Sequence, residues 1–384
     1  MKQTEIVVIP DDWDLKRLGD ICVDMIGGGT PSTSNESYWN GNIPWMTSAH
    51  ILRRFVRSGQ KSITKGGLQN SATHLVEKDN LLVATRVGIG KVAINKIEVT
   101  ISQDLTGLII DKSKAFNEYV YWQLTYNQRK IKSFAQGSTI KGVLRTDLAK
   151  LEIPLPSIIE QQSISEVLST VDDRLDIVER ESQRVERLKV GLMKELFDGK
   201  KWKVVNLSEV VEIFDNKRCP LSSMGRSKLK GQYPYCGANG IVDYINKFAY
   251  DGEYLLIAED GGDYGKFGDS SYIMRGKFWV NNHAHVLKAI EEKTTTKFLF
   301  YILNFMDLTT YIVGSTRTKL SQKKLQQIQI PLPNLNEQQH IIEILKVVDK
   351  KVSLQQSKKS KLENIKKSLM NDLLTGKKRV TVTQ

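Results

Sequence analysis

The sequence predicts an α+β protein in which two mixed α/β modules are separated by two long antiparallel helices that form an intramolecular coiled coil. Residues 137–201 align without a gap with residues 314–378, and 24 of the 65 aligned pairs are identical. Both repeated segments space their apolar residues at alternating steps of four and three, which is typical of a coiled-coil helix. The segments before the repeats differ from each other but keep the order of short β-like runs and a helix. A repeat of this kind sets the architecture before any motif is considered.

The two repeated helices supply ten predicted core positions each. Apolar residues fill eight of the ten positions in the first helix and seven in the second (Ile164, Leu168, Val171, Leu175, Val178, Ser182, Val185, Lys189, Leu192 and Leu196; Ile341, Leu345, Val348, Val352, Gln355, Lys359, Leu362, Lys366, Leu369 and Leu373). Pro156 and Pro333 precede the helices, and Gly199 and Gly376 lie where a glycine cap is expected.

Charge indicates which helices pair. Residues 151–200 have a net charge of −4 and residues 334–384 a net charge of +6. Opposite charge favours pairing of the first helix with the second over pairing of either helix with its own copy. A two-fold relation between the copies then requires antiparallel helices, and we expect a dumb-bell with one module at each end.

The variable segments are interpreted as mixed α/β modules. In the first module, short β-like runs precede one helix, and the second module repeats this order (runs Leu81–Arg86, Lys91–Asn95 and Leu105–Asp111 with a helix at Phe116–Ala135; runs Tyr254–Glu259 and Trp279–Ala289 with a helix at Lys297–Val313). The predicted division is a first module at 1–155, a helix at 156–200, a second module at 201–332, a helix at 333–378 and a tail at 379–384.

Composition limits the class of protein. The 384 residues include 56 Lys and Arg against 43 Asp and Glu, a net charge of +13, with 40% apolar and 26% charged residues. This balance is ordinary for a folded, soluble chain, and no apolar run approaches the roughly 18 residues of a membrane span. We therefore expect a cytoplasmic protein. Three widely spaced cysteines build neither a disulfide framework nor a four-cysteine zinc site.

Signatures of enzymes are weak. The stretch Gly261–Lys266 ends in Gly-Lys, but Phe267 stands where a phosphate-binding loop needs Ser or Thr. Gly27–Gly29 does not open a helix, and no Asn/Asp-Pro-Pro-aromatic motif of amino-methyltransferases occurs. The charged cluster at residues 11–16 is a turn more readily than a nuclease site. The sequence thus disfavours nucleotide hydrolysis, methyl transfer and nuclease chemistry by this chain, and no cofactor is expected.

A metal site is also not expected. His283 and His285 alternate on a β-like run and would point to one face, as two zinc ligands do. Because no third and fourth ligands can be identified, a hydrogen-bonding or DNA-facing role is the favoured interpretation.

Basic and hydrogen-bonding residues in loops remain as candidate functional groups. Residues 1–150 have a net charge of +6 and residues 201–333 a net charge of +5. Arg and Lys neutralise phosphates, and Arg, Asn and Gln can address base edges. Two similar modules held apart by a spacer suit two half-sites on one duplex. The predicted DNA-binding residues are Thr47, Ser48, His50, Arg53, Arg54, Arg86, Lys91, Ser138, Thr139 and Lys141 in the first module, and Arg218, Asn239, Lys266, Asn282, His283, Ser315, Thr316, Arg317 and Lys319 in the second.

The chain resembles the specificity subunit of type I restriction-modification systems over essentially its whole length. The resemblance rests on Ile-Pro-Leu-Pro followed by Glu-Gln-Gln and a long helix, which occurs twice (Ile153–Pro156 with Glu160–Gln162; Ile330–Pro333 with Glu337–Gln339). Module-specific motifs add to it: Gly28–Pro31, Tyr38-Trp39 and Ile43–Trp45 in the first module, and Tyr235–Ile241 and Phe278–Ala284 in the second. The modules do not share these motifs, so no residue-to-base code can be carried across.

The resemblance implies two target-recognition domains in a non-catalytic, DNA-reading subunit. It also implies double-stranded DNA, two adenine methyltransferase (modification) subunits and two restriction (motor-nuclease) subunits as partners. Two alternatives stay open from the residues alone: a bridging protein that presents basic modules to an acidic protein partner, and a self-contained endonuclease. A phased bipartite consensus from random duplexes would select the DNA-reading function, whereas metal-dependent cleavage by the purified chain would select the endonuclease.

Overall fold

The structure is a computed structural model that describes residues 2–3, 8–137, 141–314 and 318–380. The chain divides into two compact units: Met1–Val178 together with Lys358–Gln384, and Glu179–Ser357. Each unit contains one mixed α/β module and one half of each long helix. The domain boundaries predicted above remain a proposed division, because the compact units cut both helices.

The first unit contains thirteen described strands and four short helices before a long one. A five-stranded sheet has the order β4-β12-β9-β10-β6 and a four-stranded sheet the order β7-β5-β11-β8, while β1 pairs with β2 and β13 with β3. The elements are β1 (Lys2–Gln3), β2 (Val8–Ile9), β3 (Asp14–Arg17), β4 (Cys22–Gly27), β5 (Trp39–Met46), β6 (Phe55–Val56), β7 (Lys61–Ile63), α1 (Lys65–Gln69), β8 (His74–Val76), β9 (Leu81–Ala84), β10 (Val92–Asn95), β11 (Val99–Ile101), β12 (Leu105–Ile110), α2 (Asn117–Tyr126), α3 (Gln128–Ser133), α4 (Arg145–Leu148), β13 (Glu152–Leu155) and α5 (Ile158–Phe197).

The second unit has a six-stranded sheet of order β15-β20-β18-β19-β16-β17 and a separate pair, β14-β21. Its elements after α5 are β14 (Lys203–Asn206), β15 (Val211–Ile213), α6 (Ser223–Lys228), β16 (Lys230–Gly237), β17 (Gly240–Ile245), β18 (Tyr250–Ala258), β19 (Ser271–Val280), β20 (Ala284–Ala289), α7 (Thr296–Phe305), α8 (Gln322–Gln326), β21 (Gln329–Leu332) and α9 (Leu335–Leu373).

The structure confirms the mixed α/β character of the modules and shifts some boundaries. The three predicted runs of the first module are β9, β10 and β12, and its predicted helix is divided into α2 and α3. In the second module the predicted run Trp279–Ala289 is wrong as a single strand, because a turn at residues 282–283 separates β19 from β20. The predicted helix Lys297–Val313 ends early, at Phe305, and one short 3-10 turn follows at Thr309–Tyr311.

The two long helices pair in the way that their charge predicts. All twenty predicted core positions are buried or half-buried, and none is exposed. In the first unit Lys366 donates to Asp172 at 2.6 Å. In the second unit Gln355 donates to Glu181 at 3.0 Å and Lys189 pairs with Asp349 at 2.8 Å. As the residue number on α5 rises, the number of its partner on α9 falls, so the helices are antiparallel.

The repeated Glu-Gln-Gln motif has a structural explanation. Its first glutamine is buried in each unit, Gln161 in α5 and Gln338 in α9. Gln161 accepts a hydrogen bond from the N–H of Phe116 at 2.8 Å and donates to the carbonyl oxygen of Pro156 at 2.9 Å. Gln338 donates to Pro333 at 2.9 Å and accepts from the hydroxyl of Thr294 at 2.9 Å. The motif therefore ties the start of each long helix to the start of the main helix of its module.

Glycine ends both long helices in the same conformation. Gly199 and Gly376 each have a φ of +69°, a left-handed conformation that costs glycine little. A Cβ atom at Gly376 would also lie 2.4 Å from Cδ of Pro10. The predicted glycine caps are confirmed.

Candidate nucleic-acid interface

Two adjacent loops of the first module carry exposed basic residues. One loop joins β9 to β10 and holds Arg86 and Lys91, and the other holds Lys141. The N–H of Val143 donates to the carbonyl of Thr85 at 2.8 Å, which fixes the second loop beside the first. Arg86 and Lys141 are both exposed. The two loops therefore present cations on one surface of the unit.

The second module repeats this pair of loops with different chemistry. The N–H of Leu320 donates to the carbonyl of Glu259 at 2.7 Å, the counterpart of the bond between Val143 and Thr85. Glu259 and Lys319 thus lie where the first module has Thr85 and Gly142. At these two equivalent backbone positions, the first module therefore has uncharged residues and the second module has charged ones.

A buried ionic cluster lies beneath the loops of the second module. Asp215, Glu259 and His285 bring their possible ligand atoms within 4.8 Å of one another. Arg218 pairs with Glu259 at 2.5 Å and with Asp215 at 3.2 Å, and Lys319 also pairs with Glu259. Both carboxylates therefore already have cationic partners from the chain, and the cluster is an ion network.

The network also fixes the loop that carries Lys319. His285 Nδ1 faces Asp215 Oδ2 at 2.5 Å and its Nε2 faces the carbonyl oxygen of Leu320 at 2.7 Å. The imidazole ring therefore links Asp215 to the loop at Leu320. Burial opposes ionisation of Glu259, but hydrogen bonds from Lys319 and Arg218 hold the pKa of this carboxyl below its usual value.

Two predicted DNA contacts of the first module instead join it to the long helix. Arg54 is 6% exposed. It pairs with Asp173 and, at 3.7 Å, with Asp172 on α5, and its guanidinium lies 4.6 Å from the ring centroid of Phe55. Arg53 pairs with Asp176 at 2.7 Å but is more exposed. These contacts attach the module to its half of the helix pair.

The remaining predicted contacts vary in exposure. Ser48 and Arg54 are buried, and Arg218 is held in the ion network. We therefore do not propose these three residues as DNA contacts. The others have surface positions or exposed partners: Thr47 donates to Gln60, His50 contacts the Ser58 carbonyl, Asn239 donates to the Gly261 carbonyl, Lys266 pairs with Asp198, His283 pairs with Asp260, and Asn282 is exposed. Ser138, Thr139, Ser315, Thr316 and Arg317 lie outside the described residues. The DNA contacts of these residues stay predictions.

The three cysteines differ in their exposure to solvent. Burial raises the pKa of the Cys22 thiol to about 12, with a smaller contribution from Asp24, and burial raises that of Cys236 to about 12. Cys219 is exposed.

Within the part of the chain that the structure describes, no helix is both long and apolar enough to cross a bilayer.

Comparison with known sequences identifies the family. The sequence model of the type I restriction modification DNA specificity domain matches residues 10–187 and 199–364. The chain belongs to this family. Its relatives include the type I restriction enzyme MjaIX specificity subunit of Methanocaldococcus jannaschii, 26% identical over 420 residues that cover 99% of this chain and 96% of that protein. A putative type I restriction enzyme specificity subunit of Haemophilus influenzae is 39% identical over 153 residues, 40% of this chain and 39% of that protein.

Solved structures show the same fold as this specificity-family chain. The type I restriction-modification S subunit of M. genitalium has a TM-score of 0.66 at 17% identity and covers 99% of both chains. A chain from a structural study of assembly and conformational transition in the type I R-M system has a TM-score of 0.57 at 18% identity, covering 96% of this chain and 98% of that chain.

Several motifs that carry the family resemblance have structural roles in this chain. The indole N–H of Trp45 donates to the carbonyl of Gly29 at 3.1 Å, and that of Trp39 donates to the carbonyl of Ser32 at 3.0 Å. The Gly-Gly-Thr-Pro segment is thereby held against β5. Sequence reasoning missed the roles of Asp215 and Glu259 in the ion network. Apart from the pair of Asp215 with nearby Arg218, the partners of these carboxylates are far away in sequence, so no local pattern joins the network.

Proposed function

We propose that this chain is the non-catalytic, sequence-specific DNA-binding subunit of a type I restriction-modification complex, and that it reads a bipartite duplex target. One half-site is assigned to each module. The observation that carries the proposal is the double match to the specificity-domain family, one match over each module and the helix that follows it.

The equivalent loop pairs support the assignment of one half-site to each module. The bonds from Val143 to Thr85 and from Leu320 to Glu259 build the same surface twice. Arg86, Lys91 and Lys141 in the first module and Lys319 in the second supply phosphate contacts at these surfaces. Because the flanking residues differ between modules, the two half-sites differ in sequence.

The proposal extends to the partners of the complex. Two modification subunits, which methylate adenine, and two restriction subunits, which carry the motor and nuclease, bind the chain and supply the chemistry. One structural relative comes from a study of complex assembly in the type I R-M system. The complex acts in the cytoplasm, and the chain itself holds neither a cofactor nor a metal.

The test is a selection of bound sequences from duplexes randomised over 30 base pairs, with the purified chain as bait. We expect one phased bipartite consensus and an affinity that falls steeply with salt, because cations that neutralise phosphates release counterions. Binding without sequence preference would contradict the proposal. Cleavage or methyl transfer that co-purifies with the chain through several columns would also contradict it.

A further inference from the structure

The two modules share a feature that gapless comparison of their sequences does not show. Trp39 and Ile43 of β5 both face Ile63, so Asn40, Gly41 and Asn42 form a bulge. In the second module Lys230 and Tyr233 of β16 both face Ile245, so Gly231 and Gln232 form a bulge.

Neighbouring hydrogen bonds show that these strands are equivalent. β5 runs parallel to β11 with Trp45 facing Thr100, and β16 runs parallel to β19 with Tyr235 facing Trp279. The N–H of Ser102 donates to Met46 at 3.0 Å, and the N–H of Asn281 donates to Cys236 at 3.1 Å. The segments 41–45, Gly-Asn-Ile-Pro-Trp, and 231–235, Gly-Gln-Tyr-Pro-Tyr, are therefore structural counterparts.

Glycine is required at both bulges for the same reason. A Cβ atom at Gly41 would lie 2.4 Å from the carbonyl oxygen of Ile63, and one at Gly231 would lie 2.4 Å from Cα of Asn246. The backbone of the bulged strand passes too close to its neighbour for any side chain. Each close approach is followed at once by an amide residue, Asn42 or Gln232.

The amide side chains of both bulges face solvent. Asn42 and Gln232 are exposed, and within the described ranges neither side chain has a hydrogen-bond partner. Packing therefore does not explain them. An Asn or Gln side chain offers one donor group and one acceptor, the pair that matches N6 and N7 of adenine in the major groove.

The surroundings of the two bulges differ. In the first module a cleft of about 870 Å³ adjoins the bulge, and Lys61 lies 5.3 Å from the ring centroid of Trp39. Lys61 faces Trp45, and its counterpart Asp243, which faces Tyr235, pairs with Arg226 at 3.0 Å. The first module also has one extra bulge residue, Asn40, at a φ of 61°. The two bulges therefore present different groups to a ligand.

We infer that the two bulges are base-reading elements, with Asn42 addressing a base pair in the half-site of the first module and Gln232 one in the half-site of the second. The inference rests on the proposed function. It assigns sequence specificity to these two amide residues and not to the loop cations, because phosphate contacts position a protein on the duplex without reading its sequence.

The test uses two nearly isosteric substitutions, Asn42→Asp and Gln232→Glu, in the full chain. A carboxylate only accepts hydrogen bonds, so it loses the paired contact with adenine and favours the N4 amino group of cytosine. Each variant, and Asn42→Ala and Gln232→Ala, is used in selection from duplexes randomised over 30 base pairs. Matched controls, Gln162→Glu and Gln356→Glu, make the same change at exposed positions on the long helices.

The expected result is a change confined to one half-site. Asn42→Asp should reduce the preference for the wild-type base by about 5- to 150-fold at one position of one half-site. Gln232→Glu should do so in the other half-site, and the controls should reproduce the wild-type consensus. An unchanged consensus in both variants, or equal weakening for all sequences, would overturn the inference while leaving the proposed function intact. Absence of a bipartite consensus for the wild-type chain would instead refute the proposed function, and this inference with it.

Discussion

The buried glutamine of each Glu-Gln-Gln motif should stabilise its unit strongly, whereas the next glutamine should not. Gln161→Leu keeps the volume but leaves the N–H of Phe116 and the carbonyl of Pro156 without their partners. Each unsatisfied buried group costs about 1–3 kcal/mol, so the loss of two partners should cost about 2–6 kcal/mol. For a unit of this size, this corresponds to a fall in Tm of about 4–24 °C.

The neighbouring residue supplies a matched control. Gln162 is exposed, and Gln162→Leu should change Tm by no more than about 2 °C because surface substitutions usually alter stability little. The second copy repeats the comparison with Gln338→Leu and Gln339→Leu. Thermal unfolding is followed by circular dichroism and by tryptophan fluorescence. Equal Tm values for Gln161→Leu and Gln162→Leu would refute the assignment of the motif to the junction between module and helix.

Three further predictions concern thiols, acid stability and the attachment of the first module. Cys219 should be the one thiol that reacts rapidly with a maleimide at pH 7, whereas Cys22 and Cys236 should react only after denaturation. Rapid labelling of all three thiols in the native protein would refute the burial of the Cys22 and Cys236 thiols. Asp349→Asn should lower Tm at pH 7, and the difference in Tm from wild type should shrink as pH falls below about 4. Burial raises the pKa of Asp349 in the folded state, but hydrogen bonds and charges from Lys189, Tyr301 and Lys297 together hold it below its usual value. Stability from a depressed carboxyl pKa is lost as the group is protonated, so a difference that grows in acid would contradict this. Arg54→Ala should cost about 1–3 kcal/mol, because it removes a buried guanidinium that contacts Phe55 and pairs with Asp172 and Asp173 on the long helix. Urea unfolding should show this loss, and a loss below about 0.5 kcal/mol would mean that the pairs do not hold the module.

The repeat made much of the fold predictable. The helices, their antiparallel pairing and the glycine caps follow from apolar spacing, net charge and residue type, which are local or additive properties of the sequence. The repeated segments correspond at a constant offset of 177 residues. A gapless comparison detects such a repeat easily.

The candidate site was less predictable. A residue of β12 has its structural counterpart in β20 179 positions later in the sequence, as the pairing of each strand shows. A residue of β5 has its counterpart in β16 190 positions later. Insertions of different length therefore hide the shared bulge from sequence comparison. Arg54 was predicted to bind DNA because it is a basic residue in a loop, but it is buried against carboxylate partners that lie more than a hundred residues away in sequence. Only the tertiary structure brings such pairs together.

Methylome sequencing of cells that express this chain with its modification subunit tests the central claim most directly. We predict methylated adenines within one bipartite sequence that has two short specific parts and a gap of fixed length. Replacing the second module by that of another family member should change one specific part and leave the other unchanged. Methylation in a continuous target, or a module exchange that alters both parts, would contradict the assignment of one half-site to each module.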